Sequence, residues 1–205
     1  MKSSRPSRCL PVLIAVTAAV AGCAAPGEKP VDGEDAPVNS TQTGVSCSES
    51  QNLLVDTRFQ NLGQGSWAYV QHSGPQSFSF TSEQGELELA RTGDEPWMLL
   101  TQQVALPALD PDKRHTLVLS AELKGDVPTE PELHGFEHKA GLFMRSGAPS
   151  MAEHEPNNGV WDWQRIDVSE AVLSGKTRVQ AGFLHQGGGT LWARDPSLKL
   201  VACDD

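Results

Sequence analysis

His134-Gly135-Phe136-Glu137-His138 has the H-x-x-E-H order of an inverted zinc-peptidase motif. That chemistry needs both imidazoles on one helical face to hold the metal, Glu137 as general base and a further carboxylate far downstream. The surroundings oppose a helix. Pro128 and Pro131 precede the motif, Gly135 lies inside it, and Lys139 to Arg145 continues as a strand. The five residues are therefore expected to form a loop with no more than adventitious metal binding. His72, His115, His154 and His185 are isolated, as surface or core groups are. The chain has no G-x-S-x-G, no Cys-His pairing and no phosphate loop. Its acidic residues are scattered, so no carboxylate pair for glycosidic cleavage is singled out. The expectation is a protein that is not an enzyme.

The elements that must position any site are strands. Glu86-Leu87-Glu88-Leu89 and Phe78-Ser79-Phe80 alternate between apolar and polar. Leu117, Leu119, Ala121 and Leu123 share one face, as do Val179, Ala181 and Phe183, and Leu198, Leu200 and Ala202. A period of two is what a strand with one wet face requires. Turn residues separate the runs, at Gly63-Gln64-Gly65, Ser73-Gly74-Pro75, Asp110-Pro111-Asp112, Asn157-Asn158-Gly159 and Gly187-Gly188-Gly189. Only Val168 to Leu173 reads as helical. About ten short strands at this spacing predict an all-β fold, an antiparallel β-sandwich of the jelly-roll kind.

The amino terminus has a different character. Lys2, Arg5 and Arg8 precede an apolar run from Leu10 to Ala21, too short to span a bilayer as a helix. Val20-Ala21-Gly22-Cys23 resembles the lipobox of bacterial lipoproteins. That resemblance implies a signal peptide at 1–22, cleavage after Gly22 and acylation, palmitate included, at Cys23. The alternative is an ordinary secretory signal cut at an A-x-A-like site. No aspartate follows the cysteine, which implies the outer membrane, on its periplasmic or its surface face. Residues 23–45 have almost no large apolar side chain and are expected to be a flexible tether, leaving 46–205 as the folded domain. Removing 1–22 would take away three basic residues and no acidic one, turning a net charge of −10 into −13. So acidic a chain, with no basic run, disfavours nucleic acid and leaves the lipid as the membrane anchor. With Cys9 in the leader and Cys23 acylated, Cys47 and Cys203 remain. In an oxidising envelope they read as a disulfide, the alternative being two buried thiols.

Several segments stand in a familiar order: Asn52 to Gln60, then Gly65-Ser66-Trp67; Leu100 to Leu106, then His115 to Lys124; and Thr177 to Phe183, then Gly188 to Leu198. They resemble the carbohydrate-binding modules of families 4, 9 and 22, over nearly all of residues 50–202. The resemblance implies a galactose-binding-like sandwich that holds a polysaccharide without cleaving it. It also implies that Trp67 and Trp192 are core, and that Trp161 is packed. A structural calcium is common in these modules. Here Asp56 and Asp195 could contribute, whereas Gln60 and Arg194 stand where acidic residues are usual, and a guanidinium opposes a cation. In such modules aromatic rings stack on pyranose faces beside polar side chains. The candidate set is Trp97, Trp163, Tyr69, Gln103, Arg145 and Gln186. The alternative partner is an envelope or adhesion protein docked on the same sandwich.

Overall fold

The computed structural model describes residues 45–130, 135–146 and 154–204. The signal segment 1–22, the acylation residue Cys23, the tether up to residue 44 and His134 lie outside the described residues. Ten strands are present: β1 (Cys47–Glu49), β2 (Ala68–Gln71), β3 (Phe78–Glu83), β4 (Glu86–Arg91), β5 (Trp97–Ala105), β6 (Lys113–Val127), β7 (Lys139–Arg145), β8 (Gly159–Ala171), β9 (Arg178–Gln186) and β10 (Thr190–Asp204). The larger sheet runs β3-β4-β10-β6-β8 with β1 added to β10, and the smaller runs β2-β5-β9-β7. Every pairing is antiparallel. The fold is an antiparallel β-sandwich.

Local chemistry fixes the registers. Gln84 (φ 54°) and Gly85 (φ 90°) make the two-residue turn between β3 and β4. Both φ values are positive, as the primed hairpin turn that matches strand twist demands. In β10 the register shifts between Arg194 and Ser197, with Asp195 at φ 50°. This bulge lets one strand serve two partners on the same side, β4 before it and β1 after it. The helical expectation at 168–173 fails. Val168 is buried and Asp167 and Ser169 are exposed, so the period of two in β8 runs on to Ala171.

The inward faces of both sheets make one core, with Leu87, Leu89, Leu117, Leu119, Leu123 and Leu191 from the larger sheet and Met98, Leu100 and Phe183 from the smaller, all essentially inaccessible. Truncating such a leucine to alanine costs about 2–5 kcal/mol. Gly125 faces Trp161 across β6 and β8, and a Cβ there would stand 2.2 Å from the indole. Trp161 is accordingly packed, as expected. Residues 50–67, largely without regular structure, carry Phe59 and Trp67, each 1% exposed. Their rings lie 5.3 Å apart, and 6.0 and 5.7 Å from that of Phe183. Packing on this scale holds Phe59 at φ 57°, a left-handed conformation costly for a bulky side chain.

Cys47 and Cys203 are paired in a disulfide. They are register partners in β1 and β10, with Cα atoms 4.1 Å apart. That is the close spacing of a non-hydrogen-bonded antiparallel pair, where side chains approach best. The bond closes 156 residues. Replacing both cysteines by alanine is expected to destabilise the domain by about 2–5 kcal/mol, seen as a lower urea midpoint with the native far-UV spectrum retained.

His185 points into the core from β9, wholly inaccessible, with Nε2 3.1 Å from the Gly189 carbonyl and Nδ1 unpartnered. Burial pushes its pKa down to about 4. The folded state therefore holds the neutral ring, while the unfolded chain takes up a proton near pH 6.5. The stability this group confers is present above pH 6.5 and is lost as pH falls through 4. The slope it adds cannot exceed about 1.4 kcal/mol per pH unit. His185→Gln, which keeps a donor for Gly189, should flatten the fall in melting temperature between pH 6.5 and 4; an unchanged profile would assign the acid lability elsewhere.

Candidate functional site

Alternation along β5 places Trp97, Leu99, Thr101 and Gln103 on the outward side of the smaller sheet, opposite the inward Met98, Leu100 and Val104. Register extends the pattern across the sheet. Trp97 stands level with Gln186 of β9 and Lys139 of β7. Leu99 is level with Val70, Leu184 and Gly141, and Thr101 with Gly182 and Phe143. Gln103 is level with Gln180 and Arg145. Two polar rows thus flank a middle that is itself covered, with Thr101, Phe143 and Leu184 2%, 1% and 8% exposed, and Trp97 and Gln103 are about 20 Å apart along the strand.

Loops steady the Trp97 end. His72 meets the indole edge-on at 6.1 Å between centroids. Glu95 takes the Ser73 amide at 2.9 Å and lies 3.1 Å from His72 Nδ1. Desolvation pushes this carboxyl upward, but the hydrogen bonds from Ser73 and His72 outweigh it and hold the pKa below the ordinary range. Gln186 donates to the Glu137 carbonyl at 2.8 Å. At the other end Gln180 donates to the Thr101 hydroxyl at 2.9 Å, and the Arg145 guanidinium lies 5.6 Å from the Phe143 ring. Gln103 and Arg145 are exposed. Along the outer edge of β7, the Leu142 amide donates to His154 Nε2 at 2.9 Å. Burial lowers the pKa of His154, which keeps the ring neutral and able to accept.

Of the six candidate residues, four share this face: Trp97, Gln103, Arg145 and Gln186. The other two do not. Tyr69 lies on the same side of the chain as Trp67, and that side is the core. Its ring packs on Phe80 at 5.3 Å, its hydroxyl bonds to Gln71, and burial raises its pKa. Trp163 stands on the far side of the molecule, outside the larger sheet, with the Arg194 guanidinium 4.3 Å from its ring centroid. Trp192 was expected in the core and is not there. It is half-buried on that same outer side, donating to Glu88 at 3.0 Å beneath Lys124 at 4.9 Å. One residue explains the miss: Leu191 and Ala193 take the inward positions, so Trp192 must point out. Beside it lies a cleft of about 390 Å³ lined by Thr81, Glu83, Glu86 and Glu88.

Of the two expected calcium ligands, Asp195 is exposed and Asp56 has other work. Asp56, at φ 50°, accepts the Gln60 amide on one oxygen (2.8 Å) and the Asn61 amide on the other (2.9 Å). Arg194, next to Asp195, donates to Glu122 at 2.6 Å and Glu86 at 3.0 Å, bonds that raise its own pKa further. A guanidinium holds together the carboxylates there. Among the described residues no group of three or more His, Cys, Asp or Glu is placed to hold a metal. Residues 135–138 are not helical, and His138 Nδ1 accepts the Gly188 amide at 2.8 Å, which removes the peptidase geometry.

Sequence reasoning missed Gln180 and Arg178. Both follow from the inward run Val179, Ala181, Phe183, whose alternates must face outward. No protein-family model and no curated protein matches the chain. Among solved structures, the enzymatically active domain of bacteriophage CBA120 tailspike protein 4 is 11% identical with a TM-score of 0.43, over 72% of this chain and 21% of that one. The chain thus spans about a fifth of that domain's length. The cyclase Fisc from Fischerella sp. TAU is 11% identical with a TM-score of 0.37, over 82% of this chain and 79% of that one. A CBM4 structure is 13% identical with a TM-score of 0.39, over 64% of this chain and 84% of that one.

Because backbone amides already occupy both Asp56 oxygens, adding millimolar calcium or EDTA should leave the melting temperature unchanged. Asp56→Ala should cost about 1–2 kcal/mol with or without calcium, read by urea unfolding.

Proposed function

We propose that the β-sandwich is a non-catalytic polysaccharide-binding module and that the outward side of the smaller sheet is its binding face. One observation carries this reading. Trp97, with part of its ring accessible, and Gln186 stand at one end of this side, and Gln103, Gln180 and Arg145 supply donors and acceptors at the other end, about 20 Å away across the covered middle. A sugar ring offers an apolar CH face for stacking and hydroxyls for amide side chains, and this face has both in register. No outward strand position of the smaller sheet bears a carboxylate. Glycosidic cleavage ordinarily needs two, so the face is suited to holding a chain and not to cutting it.

In this reading the protein reaches its ligand from a bacterial envelope. The lipobox-like Val20-Ala21-Gly22-Cys23 supports a lipid anchor at Cys23, and the polar composition of 24–45 supports a tether that holds the module away from the outer membrane.

Calorimetric titration of the purified protein with a panel of soluble neutral and acidic polysaccharides tests the binding reading. Saturable heat with at least one polymer is expected. Trp97→Ala should weaken it about tenfold and Trp97→Phe much less, because the loss is one of stacking area. Trp163→Ala, on the far sheet, should leave it unchanged. No heat with any polymer from a protein that melts cooperatively would overturn the assignment and favour a protein partner.

A further inference from the structure

The charge of the binding face is opposite to that of the chain. The protein carries 26 acidic against 16 basic residues, a net −10. Yet the outward strand positions of the smaller sheet include the exposed Arg145 and Arg178 and no aspartate or glutamate. The outer side of the larger sheet shows the ordinary pattern. There Glu86, Glu122 and Asp167 alternate with Arg194 and Arg165, and the cations are consumed in pairs: Arg194 with Glu86 and Glu122, Arg165 with Asp167 at 3.4 Å.

The two arginines of the smaller sheet sit together. Arg145 of β7 is level with Gln180, and Arg178 lies two residues along β9, level with Ala105. Diagonal neighbours of this kind are about 7–8 Å apart, within reach of one ligand group for side chains this long. Both arginines are exposed, and Gln103 and Gln180 lie beside them. At the Trp97 end Glu95 is bound by Ser73 and His72, and near the Arg145 end the Glu170 carboxylate accepts the Ser146 hydroxyl at 2.5 Å. The face therefore has an aromatic end at Trp97 and a cationic end at Arg145 and Arg178. A guanidinium pair with adjacent amides matches the planar, multi-acceptor oxygens of carboxylate or sulfate esters.

Resting on the binding reading above, we propose that the ligand is an acidic polysaccharide. Its anionic substituents are held by Arg145 and Arg178, while a sugar ring farther along the same chain stacks on Trp97. The outer side of the larger sheet, with Glu83, Glu86 and Glu88 around its cleft, repels the same polymer, so one orientation is favoured.

The test titrates the purified protein with polygalacturonate, dextran sulfate and neutral hydroxyethylcellulose by calorimetry, at about 0.02 and about 0.2 M salt. Expected is binding to one or both acidic polymers that weakens with salt; carboxylate and sulfate are told apart by which polymer binds. Arg145→Gln and Arg178→Gln should each weaken it about three- to tenfold. Arg165→Gln, on the far sheet, should have no effect, and Trp97→Ala should also weaken it. Equal loss in Arg165→Gln, or no effect of Trp97→Ala, would show simple ion exchange and overturn the proposal. Binding of the neutral polymer that is insensitive to salt and to both arginine substitutions, but lost in Trp97→Ala, would overturn the acidic ligand and leave the binding face standing. Silence with all three polymers from a folded protein would overturn both.

Discussion

The sandwich depends on how residues 52–67 are pinned between its two sheets. This segment has almost no ladder of its own, so its backbone groups must find partners elsewhere. Asn52 takes the Leu54 amide at 3.1 Å and the Leu198 amide at 2.9 Å, and donates to the Pro196 carbonyl at 3.0 Å, which fastens the segment to β10 of the larger sheet. Gln102, only 3% exposed, does the same toward the smaller sheet. Its amide accepts from Val55 N at 3.1 Å and donates to Val55 O at 2.5 Å, imitating a strand partner. The Trp67 indole then closes the loop on the Asp56 carbonyl at 3.0 Å. With those bonds made, Phe59 and Trp67 fill the space beside Phe183. Without them the part-buried amides of Leu54, Val55 and Leu198 would lose their partners, at a cost of about 1–3 kcal/mol per group.

This gives physical content to the resemblance read from the sequence. Asn52, Asp56, Phe59 and Trp67 are the residues that carry the resemblance at the amino end, and each is used to hold the sheets together. None contacts the proposed binding face. A pattern that specifies such a frame specifies a fold, and the chemistry of the ligand rests on other positions. Arg194 illustrates the freedom left over. Standing where an acidic residue is usual, it brings Glu86 and Glu122 together with its own charge and in doing so covers the ring of Trp163.

The two outer surfaces of the sandwich are consequently unlike. On the larger sheet, aromatic rings and charges satisfy each other: Trp192 with Glu88 and Lys124, Trp163 with Arg194. On the smaller sheet the arginines and glutamines at the Gln103 end have few partners within the domain, and Trp97 is steadied at its edge with part of its ring left accessible. Two exposed arginines with no carboxylate partner among the described residues raise the local concentration of anions on an otherwise acidic protein.

The sequence by itself determined the class of fold, because a period of two in apolar residues admits one face in and one face out, and turn residues mark where each strand must end. It also led to an expected Cys47–Cys203 pairing, two buried thiols being the alternative, and the structure shows the disulfide. Six candidate residues could be drawn from it, but not which of them share a face, as Trp97, Gln103, Arg145 and Gln186 do. Tyr69 and Trp163 were indistinguishable from Trp97 in the chain, because exposure of an aromatic ring is decided by which sheet and which side its strand occupies. A one-residue difference in phase separates Trp192 outside from Leu191 inside. Likewise Arg145 and Arg178 are 33 positions apart and become neighbours only because β7 pairs with β9. Periodicity is local and legible; the adjacency of strands is a property of the packed whole, and the proposed site is made of that adjacency.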